Sequence, residues 1–534
     1  MTLNRRAFLK QVGAGTAGVG LLSFVSGCRT TPLAAAARKL PRSTPEAQGV
    51  SSSGILSFLD AVQHSKHELH SFMLVRHGRV VAEGWWSPYG PAFNHTMYSL
   101  SKSFTSTAVG FAVAEGKLRV DDRVVSFFPN DLPENVSDNL AALRVKDCLS
   151  MAVGHDMDPT LPMSLQKNWC KAFLGWSIPK APGTFFLYDT GATYMCSAIV
   201  QKVTGQKILD YLQPRLFEPL HIAGPTWETC PRGINVGGWG LGIQTEGLAK
   251  VGQLYLQKGA WHGRQLLPAQ WVEEATTFKI QQPLPDKPSR PNTQNDWLQG
   301  YCYQFWRCRH NAFRGDGAFG QFMIILPEQD AVVAITAETK DMQPELDLVW
   351  DHLLPAMHAN ALPRDRHAED QLQQRLASLA LTPQPGDAFS ATASRVTGKV
   401  FQLEANDLGL ESASLALDRG GCLLTFRDNL AAYPITCGSG CWQRGETALP
   451  GTPPRLLAGG TPPKGTKSKV AASGAWTDPN IFQATLRYYE TPHHDTVTCH
   501  FHDKSVQISF MSSIAQMNPT PKDKRPVLHG KIVN

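Results

Sequence analysis

The sequence predicts an α+β protein: an antiparallel sheet drawn from both ends of a first domain, helices around it, and an all-β domain behind. Three observations carry this. Strand-like runs at Ser71 to Trp86 and Gln321 to Thr336 bracket a middle rich in small, apolar helical segments. The composition changes after a helix-like Leu346 to Met357. From Ala391 onward, short alternating strands are separated by Gly, Asp and Asn turns, as in a sandwich or barrel.

Length agrees with more than one core, since 534 residues exceed what a single domain packs. Hydrophobic residues make up 42% and charged ones 18%, so the chain folds rather than staying disordered. A net charge of +6, with no basic run beyond Lys464 to Lys469, disfavours a nucleic-acid partner. Eleven cysteines form no CxxC pair, which argues against a zinc ribbon or a thioredoxin-type site. Cys302/Cys308 and Cys437/Cys441 are near in sequence, but pairing is not readable from spacing.

In order along the chain, residues 1–28 read as an export signal. Arg5-Arg6 precedes Phe8-Leu9-Lys10 and a weakly apolar run from Val12 to Val25, resembling a twin-arginine leader. Val25-Ser26-Gly27-Cys28 looks like a lipobox, so Cys28 is the expected lipidation site and the only membrane anchor. The alternative is cleavage near Ala34-Ala35-Ala36. Export implies an oxidising periplasm, and Arg29 after the cysteine implies outer-membrane sorting in a Gram-negative host. Residues 29–45 read as a tether, 46–360 as the first domain, 361–388 as a linker and 389–534 as the β domain. Within the first domain, His77-Gly78 turns a hairpin. Ser99 to Glu115 and Gly191 to Val203 are helices ending at Gly116 and Gly205, and Pro327 to Asp330 turns the second hairpin.

Three Ser-x-x-Lys matches occur, at Ser99, Ser164 and Ser177. Ser177 has a proline inside the motif and Ser164 lies in a polar segment, so both read as chance. Ser99 opens an apolar helix, where one turn brings Lys102 beside the hydroxyl and the helix N-terminus favours a developing alkoxide. A weak nucleophile beside a desolvated amine is what acyl transfer needs. The competing reading is a serine cap and a surface lysine. Tyr188 sits in a turn ahead of the second helix, and a phenol there could shuttle protons if nearby cations lower its pKa. Gly315 to Gln321 leads into a strand whose glycines allow close backbone approach.

Tyr98 to Ser106, the Tyr188 turn and the Gly-rich strand start, in that order, resemble the serine β-lactamase-like superfamily. The branch is that of class C β-lactamases, DD-peptidases and esterases. Val145 to Met151, Gly237 to Leu241 and Leu266-Leu267-Pro268 add to the resemblance, which spans residues 46–355. It implies a serine hydrolase, exported if the leader is read as above, with Ser99, Lys102 and Tyr188 as catalytic groups. The backbone N–H of Ser99 and of Ala318 or Phe319 would form the oxyanion hole. Two positions depart from the family pattern. Tyr-x-Asn reads Tyr188-Asp189-Thr190, and the cation of Lys-Thr-Gly or His-x-Gly is missing, with Asp316-Gly317-Ala318 or Gly315-Asp316-Gly317 in its place. Asp316, Gly317, Arg314 and Trp239 are the expected substrate-binding residues, with Arg314 a candidate replacement cation. The loss favours neutral esters or amides. The alternatives are a true β-lactamase or D-Ala-D-Ala peptidase, and an inactive binding protein of the cell envelope.

No cofactor and no metal are expected. His493, His494, His500 and His502 with Cys499 lack zinc spacing and read as an exposed hairpin. His155 has no assignable carboxylate partner and reads as structural.

Overall fold

The computed structural model describes residues 39–457, 467–517 and 523–532. The twin-arginine segment, Cys28 and most of the tether lie outside the described residues. Leu40–Asn534 forms one compact unit.

A six-stranded antiparallel sheet organises the first part. Its order is Arg79–Trp85, Glu68–Arg76, Ala331–Glu338, Gln321–Leu326, Phe313–Gly317 and Trp306–Arg307. Glu68–Arg76 pairs with Ala331–Glu338, so the two ends of the domain meet at the sheet centre, as the sequence led one to expect. Period-two alternation explains why both faces are apolar. Met73, Val75, Met323 and Ile325 join the core under the helices, whereas Phe72, Leu74, Phe322 and Ile324 join the core on the opposite face. The first core holds the helices Ser101–Ala114 and Thr190–Thr204. The second is covered by Ser52–His64 and by Leu372 of the helix Arg366–Ala377. Residues 361–388 therefore contribute packed structure. Leu379 lies so close to Gly84 that a Cβ there would meet its Cδ1 at 2.5 Å.

The C-terminal strands make a ten-stranded sheet closed by a parallel contact of Ala432–Gly438 with Ser468–Asp478. This is a β-barrel. Its strands alternate cleanly, with Val497, Cys499 and Phe501 inward and His500 and His502 outward, the latter rings 4.0 Å apart. All ten described cysteines are free thiols.

Barrel and sheet share a polar seam. Arg487 grips Glu68 through two bonds of 2.5 and 3.1 Å, Tyr89 donates to the Thr491 carbonyl, and Thr96 donates to the Glu490 carbonyl. His493 and His494 lie on this seam, and His493 is fully buried. The exposed-hairpin reading holds for His502, holds in part for the half-buried His494 and His500, and fails for His493, which the docked hydrolase sheet of the same chain covers.

Candidate active site

Tyr98–Leu100 forms a short 3₁₀ turn that runs into the helix Ser101–Ala114. Ser99 is half-buried at this junction, and Tyr98 before it has φ 46°. A tyrosine in left-handed backbone costs about 1–2 kcal/mol, so the surroundings must hold it.

One turn on, the Lys102 Nζ lies 3.1 Å from Ser99 Oγ and donates to the Gly238 carbonyl at 2.8 Å. Lys102 is only 2% exposed. Burial disfavours its charged form and brings its pKa down to about 7, against the opposing pull of Asp158, Asp316 and Asp189. The surface-lysine reading is thereby excluded. A neutral amine keeps one lone pair for the serine proton while donating to Gly238. The Gly238 backbone approaches this closely because the residue has no side chain: a Cβ would lie 2.5 Å from Thr190 Cγ2.

Tyr188 stacks on Trp306 at 5.4 Å, and the Lys102 ammonium position lies 4.9 Å from its ring centre. Burial pushes its phenol well above the ordinary value and the Asp316 charge adds to this, while its hydrogen bond with Ser99 works the other way. The expectation of a cation-lowered pKa is therefore corrected: Tyr188 stays a neutral phenol and can donate.

The strand Phe313–Gly317 runs directly against the turn Tyr98–Leu100. A Cβ on Gly317 would meet the Met97 carbonyl at 2.0 Å, and one on Gly315 would meet Ser103 Oγ at 2.6 Å. Gly317 pairs with Gln321, which makes Ala318, Phe319 and Gly320 the turn. Gln321 and Thr339 donate to the Ala318 and Phe319 carbonyls, fixing it from outside.

Arg314 does not offer a free cation. Its guanidinium pairs with Asp316 at 2.9 Å, donates to the Asp296 carbonyl, and lies 4.4 Å from the Trp297 ring centre. Both residues are buried. Burial raises the Asp316 pKa and Arg314 opposes the rise. The reading of Arg314 as a replacement carboxylate binder is corrected, since its charge is already spent on Asp316. Alternate residues on a strand share one face, and that signal was present in Arg314-Gly315-Asp316. Trp239 is likewise buried, stacked on Trp169 at 5.7 Å, so its loop reaches the site through the Gly238 carbonyl.

His155 has a carboxylate partner after all: its Nδ1 lies 2.7 Å from Asp189 Oδ2. Asp189 also caps the helix Thr190–Thr204 by accepting from the Ala192 amide. The pair braces the Tyr188 turn, across 34 residues that no spacing rule links. Glu68, Glu338 and His494 offer potential metal-ligand atoms within 4.8 Å of one another. Arg487 pairs with Glu68, and His493 and His494 donate to Glu338, so these carboxylates already have partners within the chain.

A sheet backed by helices, with a serine and a buried lysine at the head of the central helix, defines a hydrolase of the β-lactamase fold. The chain belongs to the Beta-lactamase family, whose model matches residues 66–358. The 6-aminohexanoate-dimer hydrolase of Paenarthrobacter ureafaciens is 24% identical over 325 residues, covering 57% of this chain and 81% of that protein. A Beta-lactamase of Escherichia coli (strain K12) is 24% identical over 144 residues, 26% of this chain and 37% of its own. The solved octameric penicillin-binding protein homologue from Pyrococcus abyssi, 14% identical, covers 90% of this chain and 98% of its own with a TM-score of 0.43.

Proposed function

We propose that the protein is a serine hydrolase that forms an acyl-enzyme on Ser99 and acts on uncharged esters or amides. The observation that carries this is the 3.1 Å approach of a buried, near-neutral Lys102 amine to Ser99 Oγ. Ser99 Oγ attacks the substrate carbonyl carbon as its proton passes to Lys102 Nζ. The Ser99 and Ala318 amides receive the oxyanion. As the tetrahedral adduct collapses, the Tyr188 phenol gives its proton to the leaving group and recovers one from Lys102. Water then attacks the acyl carbon in the same geometry and releases the acid.

Because Lys102 must be unprotonated to act, kcat/KM is expected to rise with pH through an apparent pKa of about 7 and then level off. A pH profile with p-nitrophenyl butyrate checks this. A flat profile between about pH 5.5 and 8.5 would remove Lys102 as the base.

The preference for uncharged substrates rests on the Arg314–Asp316 pair, which stands where the family's third motif carries a cation and is neutral as a unit. A substrate carboxylate brought into a partly dry cleft would lack its partner, at several kcal/mol. Cleavage of an amide bond, as distinct from the preference for uncharged substrates, is supported by the relative named as a hydrolase of a 6-aminohexanoate dimer. Faster turnover of p-nitrophenyl acetate or butyrate than of nitrocefin is expected. Nitrocefin turned over faster than the esters would make the protein a β-lactamase instead.

A further inference from the structure

The two residues that flank the proposed oxyanion amides, Tyr98 before Ser99 and Phe319 after Ala318, both hold left-handed backbone, with φ 46° and 69°. Neither is glycine, so something must hold each in place. One side chain touches both, and it comes from the barrel. His493 Nε2 lies 2.5 Å from the Tyr98 hydroxyl, and the His493 ring meets the Phe319 ring edge-on at 4.7 Å. Tyr98 and Phe319 also pack on each other at 5.3 Å.

The orientation of the imidazole is determined. Its Nδ1 lies 2.7 Å from Glu338 Oε1, and a carboxylate only accepts, so Nδ1 carries a proton. Glu338 is the last residue of the central strand Ala331–Glu338, and its other oxygen accepts from His494 Nδ1 at 2.9 Å. Although burial pushes the Glu338 carboxyl upward, the hydrogen bonds from His493 and His494 win and hold it well below the usual carboxylate range. With Nδ1 committed to Glu338, Nε2 is the ring atom left to hydrogen-bond the Tyr98 hydroxyl. Tyr98, His493 and Glu338 are all buried, so water does not compete for these bonds. A cavity of about 80 Å³ behind Tyr98, lined by Trp239 and the barrel residues Leu456 and His493, shows that the barrel also walls this side.

We propose that His493, anchored by Glu338, is a positioning residue through which the barrel holds both halves of the oxyanion hole in register. The proposal rests on the Ser99 acyl-enzyme reading above. It gives the C-terminal barrel a task in the hydrolase reaction: without it, the nucleophile turn and the Ala318 turn would each relax towards ordinary backbone angles. The two amides would then no longer converge on the oxyanion.

Tyr98→Phe deletes one hydroxyl and keeps the ring on Phe319; His493→Phe keeps the ring volume and loses both nitrogens. Each is expected to lower kcat for p-nitrophenyl butyrate about tenfold, with KM changed by less than about twofold. The double variant should be no slower than the slower single one, because both delete the same bond. His493→Gln, whose amide can accept from Tyr98 and donate to Glu338, should recover most of the rate. Rates are taken per fluorophosphonate-titratable serine, so that a loss of folded protein does not imitate a loss of rate. Should His493→Phe fail to fold, Tyr98→Phe on the hydrolase side decides alone. A Tyr98→Phe protein with wild-type kcat overturns the proposal while leaving Ser99 as nucleophile. A wild-type protein that never reacts with fluorophosphonate removes the acyl-enzyme reading first, and this one with it.

Discussion

Lys102→Ala is expected to lower kcat/KM for a neutral ester by about 10³-fold, and Ser99→Ala by as much or more. In the proposed mechanism Lys102 is both the proton acceptor and the group whose burial sets the local charge, so its loss should not be made good by a neighbour. Asp158, Asp189 and Asp316 act on it only through their fields. Because nucleophile and base act as one unit, the double variant should be no slower than the slower single one. The fold should survive. Removing the amine leaves the Gly238 carbonyl without its donor, a loss of about 1–3 kcal/mol, but also lifts the cost of burying an ammonium group. Ester assays beside thermal melts separate the two effects. A Lys102→Ala protein retaining a tenth of wild-type kcat/KM would show that another group takes the proton.

Asp316→Ala should be the most destabilising substitution near the site. It leaves the Arg314 guanidinium buried without its carboxylate, which costs about 3–5 kcal/mol. The Asp296 carbonyl and Cys308 Sγ still accept from Arg314, and the Asp296 carboxylate acts on it through its field, but that carboxylate is already paired with Arg309. Replacing both partners, as in Arg314→Met with Asp316→Leu, removes the unpaired charge and should recover much of the loss. Asp316→Lys would set an ammonium against Arg314 and should be worse than alanine. Urea-unfolding midpoints across this series check the pairing. Equal midpoints for wild type and Asp316→Ala would mean that Arg314 is neutralised elsewhere.

These two expectations differ in how much of them could be read from the sequence. Ser99 and Lys102 were legible because a helix places every third and fourth residue on one side, and an apolar helix implies a buried amine. The central sheet was legible because β-rich, apolar runs flank the turns at His77-Gly78 and Pro327 to Asp330. The Tyr188 position was legible from its turn, but not its acidity, which depends on burial and on Asp316. Arg314 and Asp316 stood two apart on a strand, a spacing that puts both on one face, yet the arginine was assigned to the substrate. The remaining partners lie far apart in the chain. His155 meets Asp189 across 34 residues and Tyr98 meets His493 across 395, through the packing of elements distant in the chain. The barrel's alternation predicted its strands, and nothing in that alternation says which rim residue would reach the nucleophile turn.

Formation of an acyl-enzyme on Ser99 is tested most directly by reacting the folded protein with a fluorophosphonate and mapping the adduct by peptide mass spectrometry. The expected result is one adduct per chain, on the peptide carrying Ser99, absent from Ser99→Ala and unchanged in Ser164→Ala and Ser177→Ala. An adduct that persists in Ser99→Ala, or a wild-type chain that stays unlabelled at any pH above the Lys102 transition, would contradict it.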